Sequence, residues 1–534
     1  MSNKINLLDC TLRDGGYVND WEFGHSVITG TYKRLDSAGV EYIEVGFLDD
    51  RKNFDLNRTI MPDTEAIDKI YANVLKKHAI PVAMIDYGTC SLESIGPCES
   101  TFIDGIRVIF KKEKINEALP FCKAIKEKGY KLFIQAISIT AYSDIELLEY
   151  VQRINEVKPY AFSIVDTYGL LDKERLTKYF YLVDNNLDSD IKLGYHAHNN
   201  FQLGFSNTIE FLAMRTKREL IADSTVYGMG KSAGNCATEL LMMHMNQYYD
   251  KEYNIAQVLE IIDTDLMLIY KEHYWGYTYM FYISALHDCH PNYVKYLLEK
   301  KTLSVSAINE ILDVIPNDKK LLYNREFIHQ AYINYQANAI DDQRVYEILK
   351  DVFLNRKILI LGPGKSICSE QEIIKKYIDE NNPVIISINF ITEHYQSDYI
   401  FISNAKRYSK LSDMLFGRAI TAKVIATSNV HELDYPISFV LNYESLLLDS
   451  IKNADNAVVL FLHFLVRLGI LEVDLAGLDG FRPGTDNYYS YKYNFASEDS
   501  FKAERNKMMS DALSLLNKKI KIHFLTKTLY EITE

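Results

Sequence analysis

The stretch KLGYHAHNNFQLGFSN (192–207) joins a strand-like run to a helix-like segment, and units of this kind recur through the first half of the chain. Several of the runs are apolar almost throughout, which is typical of parallel strands covered by helices. The eight runs are INLLD (5–9), YIEVGF (42–47), PVAMID (81–86), GIRVIF (105–110), KLFIQAIS (131–138), AFSIVD (161–166), KLGYHAH (192–198) and LIADSTVYG (220–228).

Eight strand–helix units in this order predict an α/β fold that begins with a (β/α)8 TIM barrel over residues 1–250. A doubly wound open sheet is the alternative, and the count of eight favours closure. Residues 251–354 contain helix-like segments and no prominent strand run, so we expect a helical extension there.

Strand-like runs return in the last third of the chain. They are KILIL (357–361), VIISIN (384–389), DYIFIS (398–403), AKVIAT (422–427) and SFVLNY (438–443), with helix-like segments among them. This alternation predicts a second α/β domain with Rossmann-like layering over residues 355–534.

Composition excludes some classes of protein. The 534 residues carry a net charge of −13, so the chain lacks the broad positive field that non-specific nucleic-acid binding needs. Its seven cysteines form no CxxC pair, which argues against a disulfide framework. Neither an apolar leader nor a bilayer-length apolar run occurs. We therefore expect a cytoplasmic protein without a membrane span.

Polar residues cluster at the ends of the first, seventh and eighth predicted strands, which are neighbours in a closed barrel. They are Arg13, Asp14, His196, His198 and the loop GMGKSAGN (228–235). Histidines two apart on a strand point to the same side. Two imidazoles and a carboxylate can hold a divalent ion and leave positions open for a substrate such as a 2-keto acid. Arg13 would supply positive charge for an enolate oxygen.

Each piece alone has a plainer explanation. A single strand histidine is usually a hydrogen-bonded core or surface residue, and Arg13 and Asp14 could form a local ion pair. Glycines in the 228–235 loop could serve only a tight turn. It is the combination of the three pieces that predicts a divalent-metal site.

Three motifs together resemble the signature of the DRE-TIM metallolyase superfamily: DCTLRDGG (9–16), HAHNNFQLGFSN (196–207) and GMGKSAGN (228–235). The resemblance covers roughly residues 5–250. It is strongest to the 4-hydroxy-2-oxovalerate aldolase branch. The superfamily also contains hydroxymethylglutaryl-CoA lyase and the isopropylmalate and homocitrate synthases, which act on acyl-CoA.

The resemblance implies roles for individual residues. Asp14, His196 and His198 would bind Mn²⁺ or Mg²⁺, and Asn235 corresponds to a metal ligand of some branches. Arg13 would stabilise the enolate of pyruvate.

Three further residues follow from the same resemblance. Thr167 would line the active site, and Glu44 could orient the groups that contact the metal. Tyr17 stands where the aldolase branch has an acid/base histidine. A phenol with a pKa near 10 is a poor base at neutral pH, although it can donate a hydrogen bond or act as an acid. Tyr168, Tyr195 or a water molecule could take over the acid/base role.

The glycine turn in LILGPGKS (359–366) follows a predicted strand. Glycines let a backbone approach phosphate, and amides at a helix start attract anions, but a plain strand–turn–helix fits equally well. With LAGLDGF (475–481), this region loosely resembles the Rossmann-like domain of bacterial sialyltransferases and archaeal pterin diphosphokinases. The resemblance implies a nucleotide or nucleotide-sugar pocket around the residues Gly362, Gly364, Ser366 and Asn389.

The sequence therefore predicts a metal-dependent aldolase that cleaves or forms a carbon–carbon bond next to a 2-keto acid, with an aldehyde as partner substrate. The second domain suggests a role in nucleotide-sugar or surface-polysaccharide metabolism. Three alternatives stay open: a Claisen-type synthase that uses an acyl-CoA, a nucleotide-binding or transferase protein with an inactive barrel, and a scaffold protein. A homo-oligomer is compatible with the resemblance.

Overall fold

The chain divides into two units, Met1–Pro291 and Asn292–Glu534. A computed structural model describes residues 5–300, 303–320, 323–336, 340–408, 411, 421–430, 436–448, 456–485, 487–490 and 500–532. In these ranges no helix combines the length and the apolar character that crossing a bilayer requires.

The first unit contains a closed parallel barrel. Its strands follow the order β1-β9-β8-β7-β6-β5-β4-β2, and pairing of β1 with β2 closes the ring. The TIM barrel predicted from the sequence is thus confirmed, and the open-sheet alternative is wrong. The strands are β1 (Ile5–Asp9), β2 (Tyr42–Leu48), the short β3 (Ile60–Met61) beside β2, β4 (Ile80–Asp86), β5 (Gly105–Ile109), β6 (Lys131–Ala136), β7 (Ala161–Asp166), β8 (Lys192–Ala197) and β9 (Leu220–Ser224).

Helices cover the barrel strands, and capping residues in the sequence mark where helices begin. The helix Asp144–Val157 begins with a capping box, in which Ser143 and Glu146 each accept the backbone N–H of the other. The other helices of this unit include Thr11–Asp14, Gly16–Asn19, His25–Ala38, Thr64–Tyr71, Ile115–Glu127, Lys173–Asp184, Gly204–Ala213, Thr238–Tyr248, Ile255–Ile261, Met267–Glu272 and Tyr279–Leu286, and a π-helical turn spans Ile262–Leu266.

Two predicted strands end earlier than their sequence pattern suggests. β8 stops at Ala197, so His198 is the first residue past the strand. β9 stops at Ser224, because the chain turns through a 3-10 segment at Val226–Gly228 in which Tyr227 has a φ of 54°. Both ends lie at the barrel mouth, where the backbone leaves the ladder.

The second unit contains a seven-stranded parallel sheet, which confirms a second α/β region. Its order is β14-β13-β12-β11-β10-β15-β16, so the direction of winding reverses between β10 and β15. The strands are β10 (Ile358–Leu361), β11 (Val384–Ile388), β12 (Tyr399–Ile402), β13 (Lys423–Thr427), β14 (Phe439–Leu441), β15 (Glu472–Ala476) and β16 (Lys521–Phe524). The sequence pattern had not indicated β16.

Described helices of the second unit lie before, between and after these strands. The helix Ala457–Leu468 is the most apolar of them: nine of its twelve residues are buried. The others include Pro291–Glu299 at the boundary of the units, Val305–Asp313, Asn317–Lys320, Arg325–Gln336, Gln343–Phe353, Ser366–Ser369, Gln371–Asn381, Tyr443–Leu446 and Ser500–Asn517. The three-part division at residues 250 and 354 stays a prediction.

Candidate metal centre

Asp14, His196 and His198 converge at the carboxyl ends of β1 and β8. Their potential ligand atoms all lie within 4.8 Å of one another, and all three residues are buried. Asp14 Oδ2 is 3.8 Å from His198 Nε2. β1 and β8 flank β9 in the barrel, so closure of the ring brings Asp14 close to two histidines that lie more than 180 positions away in the sequence.

The protonation of His198 and Asp14 fits a cation between them. His198 Nδ1 lies 2.9 Å from the backbone oxygen of Asp166, which can only accept, so Nδ1 carries the proton. Burial lowers the pKa of His198 to about 3, which keeps the ring neutral. Nε2 then presents a lone pair, and it has no hydrogen-bond partner among the described residues. Burial by itself would raise the pKa of Asp14, but the Arg13 guanidinium holds it below its ordinary value.

A carboxylate behind His196 fixes the orientation of its ring. His196 Nδ1 lies 3.0 Å from Asp223 Oδ2, and Arg107 pairs with the same oxygen. Burial would raise the pKa of Asp223, but Arg107 and His196 lower it overall, so Asp223 stays ionised. With Nδ1 engaged, Nε2 is the nitrogen that His196 can offer to a metal.

Asn235 stands beside the carboxylate of Asp14. Its Nδ2 donates to Asp14 Oδ2 at 2.5 Å, while its Oδ1 is buried and has no partner in the described part of the chain. The amide oxygen is therefore available as a further ligand. Gly230 makes room for this pair, because a Cβ there would lie 2.4 Å from Asn235 Nδ2 and 2.7 Å from Asp14 Oδ2.

Glu44 holds two arginines beneath the site. Its Oε2 accepts a bond of 2.7 Å from Arg13 Nε and one of 2.9 Å from Arg107 Nη1. Arg13 also pairs with Asp14. The positive charge of Arg13 is thus fixed next to the metal-ligand candidates, and Glu44 acts on it as a positioning residue.

Tyr17 lies in the short helix Gly16–Asn19 that follows β1, and Thr167 is the first residue after β7. Tyr17 is 40% exposed, and the ammonium of Lys231 sits 5.3 Å from the centre of its ring. Desolvation of the phenol, partly offset by Arg13, raises the pKa of Tyr17 to about 12, so the hydroxyl is protonated at neutral pH. Thr167 Oγ1 accepts the N–H of Ser138 at 2.6 Å.

A second group, Cys10, His196 and Asp223, also brings potential ligand atoms within 4.8 Å. Burial raises the pKa of Cys10 well above its ordinary value, and the thiol donates to the oxygen of Ser224 at 3.2 Å. The ligand candidates here are a protonated thiol and a carboxylate already paired with Arg107. Cys10 and Asp223 therefore hold the ring of His196 in place and are poor ligands for a second ion.

Sequence reasoning missed Asp223, Arg107 and Lys231. The first two interrupt the apolar runs LIADS and GIRVI, and a charge inside a buried strand indicates a buried partner. The charged residues within these strands were visible in the sequence, but the sequence pattern did not show which residues they pair with. Lys231, in the glycine-rich loop, carried no comparable signal.

In the second unit, close packing explains the glycines of the predicted phosphate turn. A Cβ on Gly362 would lie 2.5 Å from Leu478 Cδ2, and one on Gly364 would lie 2.5 Å from Asp479 Oδ1. The amide of Ser366 donates to Asp479 Oδ2 at 2.9 Å, and its hydroxyl also donates to Asp479. A carboxylate of the chain itself therefore takes the place that a phosphate would occupy.

Two of the four predicted nucleotide-contacting residues line a cavity of about 130 Å³, namely Gly364 and Asn389. Gly362 and Ser366 are not among the residues that line it. Asn389 adopts a φ of 57°, and its Oδ1 accepts the N–H of Ser403 at 3.3 Å. The assignment of all four residues to a nucleotide stays a prediction.

Comparison with known proteins identifies the barrel's relatives. Residues 4–264 match the HMGL-like family, which confirms the resemblance to the DRE-TIM superfamily for this part of the chain. An oxaloacetate decarboxylase of Mycobacterium tuberculosis is 25% identical over 238 residues, 44% of this chain and 68% of the relative. The 4-hydroxy-2-oxovalerate aldolase 6 of Rhodococcus jostii is 23% identical over 266 residues, 49% and 72% of the two chains.

Among solved structures, the chain is similar to the N-terminal domain of an aldolase candidate from Bacteroides vulgatus. The two are 22% identical with a TM-score of 0.47, and the match covers 57% of this chain and 99% of that one. In sequence, the barrel is similar to aldolases and to a decarboxylase. The likeness of the second unit to sialyltransferases and pterin diphosphokinases stays a prediction.

Proposed function

We propose, starting from the HMGL-like match of the barrel, that this protein is a divalent-metal-dependent carbon–carbon lyase that acts through the enolate of a pyruvate-type 2-keto acid. The carrying observation is the unprotonated Nε2 of His198 facing the ionised Asp14 carboxylate at 3.8 Å. Two lone-pair donors at this distance with no proton between them favour a cation. Related aldolases and a related decarboxylase support a lyase.

In this proposal the residues of the site have two roles, metal binding and stabilisation of negative charge. Asp14, His196 and His198 would hold Mn²⁺ or Mg²⁺, and Asn235 can add its amide oxygen. A bound ion of this kind polarises the carbonyl of a 2-keto acid as a Lewis acid. Arg13, held by Glu44, places a fixed positive charge where negative charge develops on the enolate oxygen.

The direction of proton transfer follows from Tyr17. With a pKa of about 12 the phenol is protonated at neutral pH, so it holds a proton that it can give to an enolate carbon and it does not act as the base. Aldol cleavage additionally needs a base that removes the proton of the substrate's hydroxyl group. Loss of CO₂ from a 2-oxo acid with a carboxylate on C3 needs no such base, because the electrons of the broken bond form the enolate directly.

Decarboxylation is therefore the second candidate function, and the protonated Tyr17 favours it. Both reactions pass through the same enolate, and both end when a proton is added to carbon to give the methyl group of pyruvate. Whether the enzyme catalyses aldol cleavage or decarboxylation depends on whether another group in the barrel mouth serves as the base.

Deuterium exchange into the methyl group of pyruvate tests the shared step. We expect exchange in D₂O with Mn²⁺ or Mg²⁺, followed by NMR, and a loss of about 100-fold or more in Arg13→Gln. Arg175→Gln, which changes an exposed arginine, is the matched control. Release of pyruvate from 4-hydroxy-2-oxovalerate or from oxaloacetate then separates aldolase from decarboxylase. No exchange with any divalent ion would contradict both.

The wider setting also belongs to this proposal. A cytoplasmic enzyme of nucleotide-sugar or surface-polysaccharide metabolism, with a nucleotide or nucleotide-sugar at the second unit, is supported by the sequence resemblance of residues 356–490. The small-molecule substrates would be the 2-keto acid and its aldehyde.

A further inference from the structure

A cavity of about 130 Å³ in the second unit lies where the winding of the sheet reverses. Gly364, Asn389 and Gly477, which follow β10, β11 and β15, line it. In open α/β sheets, ligands bind outside the carboxyl ends of the strands at this reversal. The cavity is several times larger than the roughly 30 Å³ that one water molecule occupies in the liquid, so it can admit an organic molecule.

Positive charge faces this cavity from two elements. Arg407 lines it and is only 8% exposed, with its guanidinium 5.6 Å from the ring centre of Tyr488. The helix Ala457–Leu468 begins at the cavity, which is lined by Ala457, Val458 and the capping residue Asn456. The positive end of the helix dipole and a desolvated guanidinium both favour a negatively charged group such as a phosphate.

Flat aromatic surfaces form another part of the wall. Phe481 and Tyr488 line the cavity, with ring centres 6.3 Å apart. Asn506 fixes the backbone of Phe481, because its side-chain amide accepts the N–H and donates to the oxygen of that residue, both at 2.8 Å. Such rings pack well against a planar ring of a ligand.

The glycine turn after β10 does not contribute an anion site here. Asp479 occupies the amide and hydroxyl of Ser366, and Asp479 itself lines the cavity. Its carboxylate repels an anion and attracts hydroxyl or amino groups. The cavity thus offers separate places for a negative group and for hydrogen-bond donors.

We propose that this cavity binds an organic phosphate that carries a planar ring, of the nucleoside phosphate class. The phosphate contacts Arg407 and the start of the helix Ala457–Leu468, the ring packs against Phe481 or Tyr488, and a hydroxyl group contacts Asp479. This deepens the nucleotide role proposed for the second unit and rests on it. It is independent of the reaction proposed for the barrel.

Equilibrium binding to the full-length protein tests the proposal. The probes are the four common 5′-monophosphates and 5′-diphosphates, the corresponding nucleosides, and inorganic phosphate. We expect at least one nucleotide to bind and its nucleoside to bind at least ~10-fold more weakly, the discrimination that one charge-assisted contact gives. Arg407→Gln should weaken nucleotide binding by a similar factor, and so should Tyr488→Leu, with Arg505→Gln unchanged.

Arg505 is the matched control because its guanidinium lies 5.9 Å from the Phe481 ring but does not line the cavity. Asn456→Asp places a negative charge at the helix start, keeps a capping side chain and should also weaken nucleotide binding, which keeps the test decisive if Arg407→Gln does not fold. If a nucleotide binds with unchanged affinity to Tyr488→Leu and Asn456→Asp, the nucleotide role stands and this cavity is not its site. If no nucleotide binds, both fail.

Discussion

His198 Nε2 and Asp14 Oδ2 face each other at 3.8 Å in the barrel mouth, and neither atom carries a proton. The backbone oxygen of Asp166 holds the imidazole proton on Nδ1, and the charge of Arg13 keeps the carboxylate of Asp14 ionised. Asp14 Oδ2 accepts a hydrogen bond from Asn235 Nδ2, whereas His198 Nε2 has no hydrogen-bond partner among the described residues, so a cation between the two atoms would satisfy this buried nitrogen. We therefore expect the folded barrel to bind a divalent ion between these residues.

Replacing His198 by alanine should abolish tight metal binding. The wild-type protein should take up about one Mn²⁺ or Mg²⁺ per chain through its facial set of ligands. We expect His198→Ala to lower the affinity by ~100-fold or more, because loss of a direct ligand should cost at least as much as loss of an outer partner. Elemental analysis and Mn²⁺ titration followed by electron paramagnetic resonance measure this. His244→Ala, a histidine outside the site, should bind as the wild type does; equal loss in both variants would contradict the assignment.

Asp223→Asn should weaken metal binding without removing a ligand. The charge of Asp223 orients His196 through Nδ1, and outer carboxylates of this kind contribute 10–100-fold to metal affinity, so we expect a loss of roughly that size. The same Mn²⁺ titration measures it. Asp184→Asn, which alters a partner of Arg218 elsewhere in the barrel, is the control. An unchanged affinity would show that His196 keeps its orientation by other contacts.

The sequence predicted the metal-ligand candidates better than the groups that hold them. Apolar runs of strand length predicted the barrel, and strand ends placed Asp14 near the histidines. Of the charges beneath the site, Glu44 was assigned a role from the resemblance, but Arg107 and Asp223 were not. Arg107 pairs with Glu44 and Asp223, which lie 63 and 116 positions away along the chain. The same limit hid Asp479, which caps Ser366 from 113 positions away. The order of the strands in the sheet decides which distant residues meet. The hydrophobic pattern of one strand shows that its charged residue needs a buried partner, but it does not identify that partner.

Gly230→Ala should disturb the metal site through steric contact alone. An added Cβ would lie 2.4 Å from Asn235 Nδ2 and 2.7 Å from Asp14 Oδ2, so one of these side chains must move. We expect at least ~10-fold weaker Mn²⁺ binding, comparable to the loss of an outer partner. Gly30→Ala is the control, because a Cβ there meets nothing within 4 Å and lies inside the helix His25–Ala38. It should leave binding unchanged and raise the free energy of unfolding by up to about 1 kcal/mol. Equal Mn²⁺ affinity in Gly230→Ala and the wild type would mean that the loop accommodates the methyl group.

The metal-free barrel should lose stability as the pH falls below about 6.5, because the unfolded His198 then binds a proton that the folded residue, with a pKa of about 3, does not. Because folding lowers the pKa of this histidine, the free energy of unfolding decreases as the pH falls. The decrease from this residue alone is about 1.4 kcal/mol per pH unit between about pH 6.5 and 3. His198→Asn keeps an N–H for the oxygen of Asp166 but does not titrate, so its unfolding free energy should decline less steeply over this range. Urea unfolding with EDTA, followed by tryptophan fluorescence, measures the difference, since both tryptophans, Trp21 and Trp275, lie in the first unit. Identical pH dependence in the two proteins would mean that the folded His198 takes up a proton as readily as the unfolded one, which is incompatible with an unprotonated nitrogen facing Asp14.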